Sequence, residues 1–228
     1  MDKEGHIHPI FRIQGEIVDI FSEYGFVVES GPELETPHYN FDVLNMPKHH
    51  PSREMQETFW IGENSLMRTH TSNTQVRYLE KNEPPVKVIV PGKVFRNEAT
   101  DASHIEQFYQ CEGFAVSERE SMSDLLGILD IFFKEFFGGG TETRVRSSYF
   151  PFTEPSIEVD IKDGNGNFLE VAGAGMINPI VLKNAGIDSR KYRGFAFGFG
   201  VDRLAMLRYG IDDIRLFYKG DLRFINQF

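Results

Sequence analysis

Phe95-Arg96-Asn97-Glu98, answered by Phe108-Tyr109-Gln110-Cys111-Glu112-Gly113 and much later by Gly198-Phe199-Gly200-Val201-Asp202-Arg203, is the part of the sequence that decides the fold. An arginine two residues before a glutamate at a strand end, with a second arginine opening a helix after a glycine-rich strand, suits a nucleoside triphosphate. Each guanidinium offers a planar fork of donors to phosphate oxygens. Glycines let the backbone approach the ligand closely. Lys93 to Glu98 reads as a strand, and Glu106 to Val116 as its antiparallel return, so Arg96 and Glu112 are expected near each other on one sheet.

Working outward, Val86 to Val90 reads as a further strand after the break at Pro84-Pro85. Met122 to Phe137 has apolar residues at helical spacing and stops at Gly138-Gly139-Gly140. Strands follow near Thr143 to Ser148, Ser156 to Ile161 and Phe168 to Ala174. The turn Asp163-Gly164-Asn165-Gly166 makes the last two a hairpin. Asn178 to Ala185 reads as a helix, Phe195 to Gly200 as a strand, and Val201 to Tyr209 as the final long helix. Near the start, Ile10, Ile13, Ile17, Ile20 and Phe21 form a helical stripe from His8 to about Tyr24, and Phe26 to Ser30 reads as a strand. Glu35 to Ser52 is loop-like, and Thr71 to Leu79 is a short helix capped by Thr71 or Ser72. Strands paired as hairpins with helices inserted between them predict an α+β fold, an antiparallel β-sheet flanked by helices. Without repeats, low-complexity segments or linkers, residues 1–228 read as one domain.

Composition excludes several classes. The 228 residues carry a formal net charge of −10, which argues against a protein that coats nucleic acid but leaves room for a local nucleic-acid contact. One cysteine, Cys111, forbids an intramolecular disulfide and suits a reducing cytosol. The N-terminus from Met1 to His6 has no apolar signal region, and no run approaches a membrane span, so a soluble cytoplasmic protein is expected. The 21 phenylalanines and 8 tyrosines are many for this length; most should be core, a few pocket.

Further segments carry a resemblance: Gly5-His6-Ile7-His8-Pro9; Gly31-Pro32-Glu33; Tyr39-Asn40-Phe41-Asp42; His50-Pro51; Arg68-Thr69-His70-Thr71-Ser72; Pro91-Gly92-Lys93-Val94-Phe95-Arg96; Ser148-Tyr149-Phe150-Pro151-Phe152-Thr153-Glu154-Pro155; Gly173-Ala174-Gly175-Met176; and Gly194-Phe195-Ala196-Phe197-Gly198. In this order they resemble, over nearly the whole chain, the catalytic core of the phenylalanyl-tRNA synthetase alpha subunit family, with the opening stretch as motifs 2 and 3 of a class II aminoacyl-tRNA synthetase catalytic fold. The resemblance implies ATP-dependent, Mg2+-assisted activation of phenylalanine to an adenylate and its transfer to tRNA(Phe), with a beta subunit as partner.

It also implies roles. Arg96 would bridge the α-phosphate and the amino-acid carboxylate, stabilising charge that builds in the transition state. Glu98 and Phe108 would hold adenine, Arg203 the γ-phosphate, and His104 would reach the triphosphate. His70, Ser72, Gln110 and Glu112 would hold the substrate ammonium and carboxylate. Phe150 and Phe152 would contact the substrate ring, Ala196 would form the pocket floor, and Trp60 and Gln75 would complete the pocket. For Glu170 a magnesium role and a structural hydrogen bond both stand. Arg96 and Arg203 could instead be surface ion pairs, His70 a core histidine, and Phe150 and Phe152 plain core. His49-His50 lacks a neighbouring Cys or carboxylate cluster, and no zinc site is expected.

Two positions depart from the family pattern, Tyr109 and Asn178, where histidine is usual. Family alpha subunits also usually open with a tRNA-contacting helical arm, whereas this sequence starts at the core. Adenylate formation should need neither arm nor beta subunit; efficient charging should need both. Part of the first helix's apolar stripe is expected to face a partner, giving a homodimer when the chain is isolated. The alternatives are a non-catalytic, regulatory or assembly paralogue, and a paralogue that adenylates an acceptor other than tRNA.

Overall fold

The computed structural model describes residues 5–55, 57–162 and 166–228. Its centre is a seven-stranded sheet in the order β1 (Val27–Val28), β5 (Val86–Phe95), β6 (Gln107–Ser117), β10 (Arg193–Gly200), β9 (Phe168–Ile177), β8 (Thr153–Lys162), β7 (Thr143–Phe150). Every pair is antiparallel except β1 with β5. A smaller sheet orders β2 (Leu34–Glu35), β4 (Ser65–Met67) and β3 (Trp60–Gly62). The helices are α1 (Pro9–Glu23), α2 (Pro37–Asn40), α3 (Pro51–Glu54), α4 (Asn73–Leu79), α5 (Met122–Phe137), α6 (Pro179–Asn184), α7 (Val201–Tyr209) and α8 (Leu222–Ile225). This is the α+β architecture expected. The predicted turn at 163–165 lies outside the described residues, as does the N-terminal stretch 1–4, but β8 and β9 pair as the hairpin it was read to join.

Alternation along β10 explains why one face of the sheet is filled and the other hollow. In Gly194-Phe195-Ala196-Phe197-Gly198-Phe199-Gly200 the phenylalanines point one way and the small residues the other. Phe197 and Phe199 stack with Phe21 of α1, and Phe199 lies parallel to Phe132 of α5 at 4.8 Å. These rings and Ile10, Ile13 and Ile17 of α1 form the larger core. Gly113 of β6 is required here, because an added Cβ would stand 2.2 Å from the Phe197 ring. A second core, under α4 and α6, gathers Phe41, Leu44, Val76, Val90, Phe114 and Val181.

Several elements differ from the reading of the sequence. The strand expected over Phe26 to Ser30 shrinks to two residues, both exposed, because it runs only along Val88 and Ile89. The two strands expected around Pro91 are one. Among the described residues no strand flanks β5 on that side beyond Ile89, so the missing proline N–H interrupts no ladder there. The segment from Glu35 to Ser52 contains β2 and two short helices, whose caps are the Thr36 hydroxyl and His50 Nδ1. Most of the α1 stripe turns inward: Ile10, Ile13, Ile17 and Phe21 are fully buried and Ile20 partly so, while Phe11 is the exposed large apolar residue of that helix. No described helix is long and apolar enough to cross a membrane.

Candidate active site

The hollow face of the sheet is a cavity of about 880 Å³. Register explains which side chains enter it. Phe108, Gln110 and Glu112 share one face of β6, and Glu112 pairs with Gly198, which in turn pairs with Gly173 of β9. A Cβ on Gly198 would lie 2.8 Å from Glu112 Cγ, so the glycine makes room for the carboxylate. Ala196, half-buried, lies between Phe114 and Gly175.

At one end stand the arginines. Arg96 follows the end of β5, its N–H bonded to the Glu106 carbonyl at 2.9 Å, and its guanidinium lies 4.9 Å from the Phe108 ring centroid. Nε donates to the Thr69 carbonyl at 3.4 Å. Burial draws its pKa down, against the opposing pull of Glu98 and Glu112. Arg203 sits in the first turn of α7 and faces the same cavity. Among the described residues neither arginine has a carboxylate oxygen within 4.0 Å, so the surface ion-pair reading does not hold for either. Two unneutralised cations at one end of a cavity are a site for an anion. Glu98 and His104 also line it; the His104 ring is held by Asp101 at 3.0 Å.

In the middle lies a buried polar cluster around Glu112. Its carboxylate accepts from the Ser72 hydroxyl at 2.5 Å, the Thr71 N–H at 3.1 Å and Gln110 Nε2 at 2.8 Å. Burial outweighs those donors and lifts its pKa to about 7. Beside it His70 is buried, with neither ring nitrogen hydrogen-bonded; burial and the Arg96 charge hold its pKa down to about 3, so the ring is neutral. Five buried side-chain polar atoms among the described residues have no partner, and four of them (both His70 nitrogens, Thr71 Oγ1 and Gln110 Oε1) sit in this cluster. Orphaned buried polar atoms are costly and rare. Their concentration around a buried carboxylate of raised pKa fits a small zwitterion with an ammonium to donate and a carboxylate to accept.

At the far end the Phe150 and Phe152 rings are nearly parallel, 5.8 Å apart, with Phe152 6.2 Å from His70. Both line the cavity, and Phe152 also packs against the second core. Phe150 rests on Gly173, where a Cβ would come within 2.9 Å of the ring. Gln75 is buried and lines the wall beside Ser72.

One expected site residue stands elsewhere, and a second is paired at the rim. Trp60 does not line the cavity: on the edge strand β3 it is half-exposed, its ring tilted against Phe41 at 6.4 Å. Glu170 reaches the rim, but it pairs with Arg146 at 3.4 Å, and burial and Glu158 raise its pKa. Among the described residues no three His, Cys, Asp or Glu side chains meet as a metal site, and the Arg146 contact is what the structure gives Glu170.

Other residues were not singled out from the sequence. Asp202, almost fully buried at the cavity wall, accepts from the Tyr109 N–H at 2.7 Å and from the Tyr218 hydroxyl. Burial lifts its pKa to about 6. An acidic residue beside Arg203 was visible; its tyrosine partner, sixteen residues on in an irregular segment, had no local signal. Arg68 is buried and binds the Lys93 carbonyl at 2.7 Å and the Gly31 carbonyl at 3.0 Å.

A family model described as tRNA synthetases class II core domain (F) matches residues 1–228. The phenylalanine–tRNA ligase alpha subunit of Psychrobacter arcticus is 50% identical over 99% of this chain and 64% of its own length. That of Bacillus subtilis is 53% identical over 98% of this chain and 69% of its own length. The chain thus spans about two thirds of the curated relatives it matches. Among solved structures, the pyrrolysyl-tRNA synthetase of Desulfitobacterium hafniense superposes with a TM-score of 0.72 over 92% of this chain and 73% of its own, at 19% identity, a likeness of fold.

Proposed function

The chain belongs to the class II core-domain family of tRNA synthetases, and on that premise we propose that it activates L-phenylalanine with ATP to phenylalanyl-adenylate and passes the aminoacyl group to tRNA(Phe). It does so as the catalytic core of an alpha subunit whose partner is a beta subunit, in the cytoplasm. Isolated from that partner, it pairs with a second copy of itself. The names of its relatives support this reading.

The observation that carries it is the order of groups along one cavity: unpaired Arg96 and Arg203, the orphaned polar cluster at Glu112, then the Phe150–Phe152 pair. Arg203 holds the distal phosphate and Arg96 the α-phosphate, where both guanidinium forks meet developing negative charge. Phe108 offers adenine a ring face, Glu98 an acceptor, and His104 approaches the triphosphate. Glu112, Ser72, Gln110 and neutral His70 take the ammonium and carboxylate, with Gln75 beside them. Edge or face contact with Phe150 and Phe152 adds about 0.5–1.5 kcal/mol beyond area burial. Ala196 floors the ring's para position. Magnesium accompanies the triphosphate and neutralises part of its charge.

Exchange of labelled pyrophosphate into ATP, run with each amino acid, tests this directly. Exchange with phenylalanine alone is expected. Strong exchange with another amino acid, and none with phenylalanine, would overturn the substrate.

A further inference from the structure

Helix α7 carries Arg203, yet its first turn is poorly capped by its own sequence. The cap residue is Gly200, which has no side chain to bond the exposed amides, and the helix spans nine residues. Val201 and Leu204 pack the turn into the larger core, and its polar anchor is Asp202. One carboxylate oxygen takes the Tyr109 N–H at 2.7 Å, and the other takes the Tyr218 hydroxyl. Tyr109 follows Phe108, the ring beneath the Arg96 guanidinium. Asp202 therefore ties the helix that presents one cavity arginine to the strand that presents the ring under the other.

Tyr218 comes from outside the sheet. It follows Phe217, which is buried in the larger core and whose carbonyl is hydrogen-bonded to His8 Nε2 at 2.8 Å, at the cap of α1. The hydroxyl is thus delivered from a fixed backbone. Without it, one oxygen of a nearly fully buried carboxylate would have no donor, and the side chain would be free to turn away from Tyr109.

We propose that Tyr218, acting through Asp202, is a positioning residue for Arg203 and so for the terminal phosphate of ATP. This rests on the ATP site proposed above, though not on the identity of the amino acid. It predicts a selective defect: the grip on the distal phosphates weakens, while the part of the site that takes adenosine and the α-phosphate is untouched.

The test is competition binding of ATP and of AMP to the full chain, comparing wild type with Tyr218→Phe. The ring stays in place in this variant, and only the hydroxyl goes. Tyr209→Phe is the control, since that hydroxyl makes no hydrogen bond among the described residues. ATP should bind roughly tenfold more weakly to Tyr218→Phe, the scale of one hydrogen bond to a charged group, with AMP affinity within about twofold. Equal loss for both nucleotides, or no loss for either, would overturn the positioning role while leaving the ATP site standing. Failure of the wild type to bind ATP would remove both. Should Tyr218→Phe not fold, Asp202→Ala takes its place: it removes the acceptor of the Tyr218 hydroxyl, and the same selective loss is expected.

Discussion

Ser72 occupies the cap position of α4, yet its hydroxyl donates to Glu112 on the neighbouring sheet and makes no bond to its own helix. A serine cap bonded to its helix is typically worth about 1 kcal/mol. Here that contribution is forgone, and the donor orients a buried carboxylate in the cavity. The cap signal in the sequence was therefore correct about place and misleading about purpose.

Removing that donor should separate the two substrates. For Ser72→Ala we expect the KM for phenylalanine to rise roughly tenfold in pyrophosphate exchange, the scale of a hydrogen bond to a charged group. The KM for ATP should not change. A rise in both, or in ATP alone, would place Ser72 outside the amino-acid site.

Glu112 also sets a pH dependence. Folded, it keeps its proton up to about pH 7; unfolded, it loses it near the usual 4.5. Between those values the folded state binds more protons, so stability falls as pH rises through this window, by at most about 3 kcal/mol. Glu112→Gln keeps the shape, its amide oxygen accepting from the Thr71 N–H and Gln110 Nε2 and its NH2 donating to the Ser72 hydroxyl oxygen, but cannot ionise. In the absence of ligand the variant should melt several degrees higher than wild type at pH 8 and match it near pH 5. A lower melting point at pH 8 would show that the carboxylate is better compensated than its burial indicates. Phenylalanine activation should be lost in the same variant.

Ala196→Gly should widen the floor of the ring pocket. One methyl group is worth about 1–3 kcal/mol of discrimination, so para-chlorophenylalanine should be activated at least tenfold better by the variant. Equal, poor activation by both forms would move the para position elsewhere in the cavity.

The isolated chain should scatter light as a species of twice 26.2 kDa at micromolar concentration. With α1 turned inward, the apolar surface left near it is Val27 and Val28, each about half exposed, with Phe11. A clean monomer would mean that this surface needs no cover.

Local signals located most of the elements. Helix α5 runs from Met122 to Phe137 as read, because Ser121 caps it with a bond to the Asp124 N–H and Gly138 follows in a positive-φ conformation. The register that joins Ala196 and Gly198 to Phe114 and Glu112 spans more than eighty residues, and no local pattern carries it. Those residues could be grouped only through the family resemblance. Trp60 shows the limit of that route: the resemblance implies a place in the pocket for it, while its strand lies at the edge of a separate sheet.

Arg68 binds carbonyls of two distant segments, Gly31 and Lys93, and its Nη2 would stand 2.2 Å from a Cβ on Gly92. The space that a side chain at 92 would need is already filled by the guanidinium. Substitution at either position is therefore conditional on the other: a lineage that enlarges residue 92 must first shorten residue 68, and in doing so releases Gly31 as well. Positions 68 and 92 are expected to share a mutational history, whereas residue 31 offers Arg68 only its backbone carbonyl and is constrained instead by Thr74.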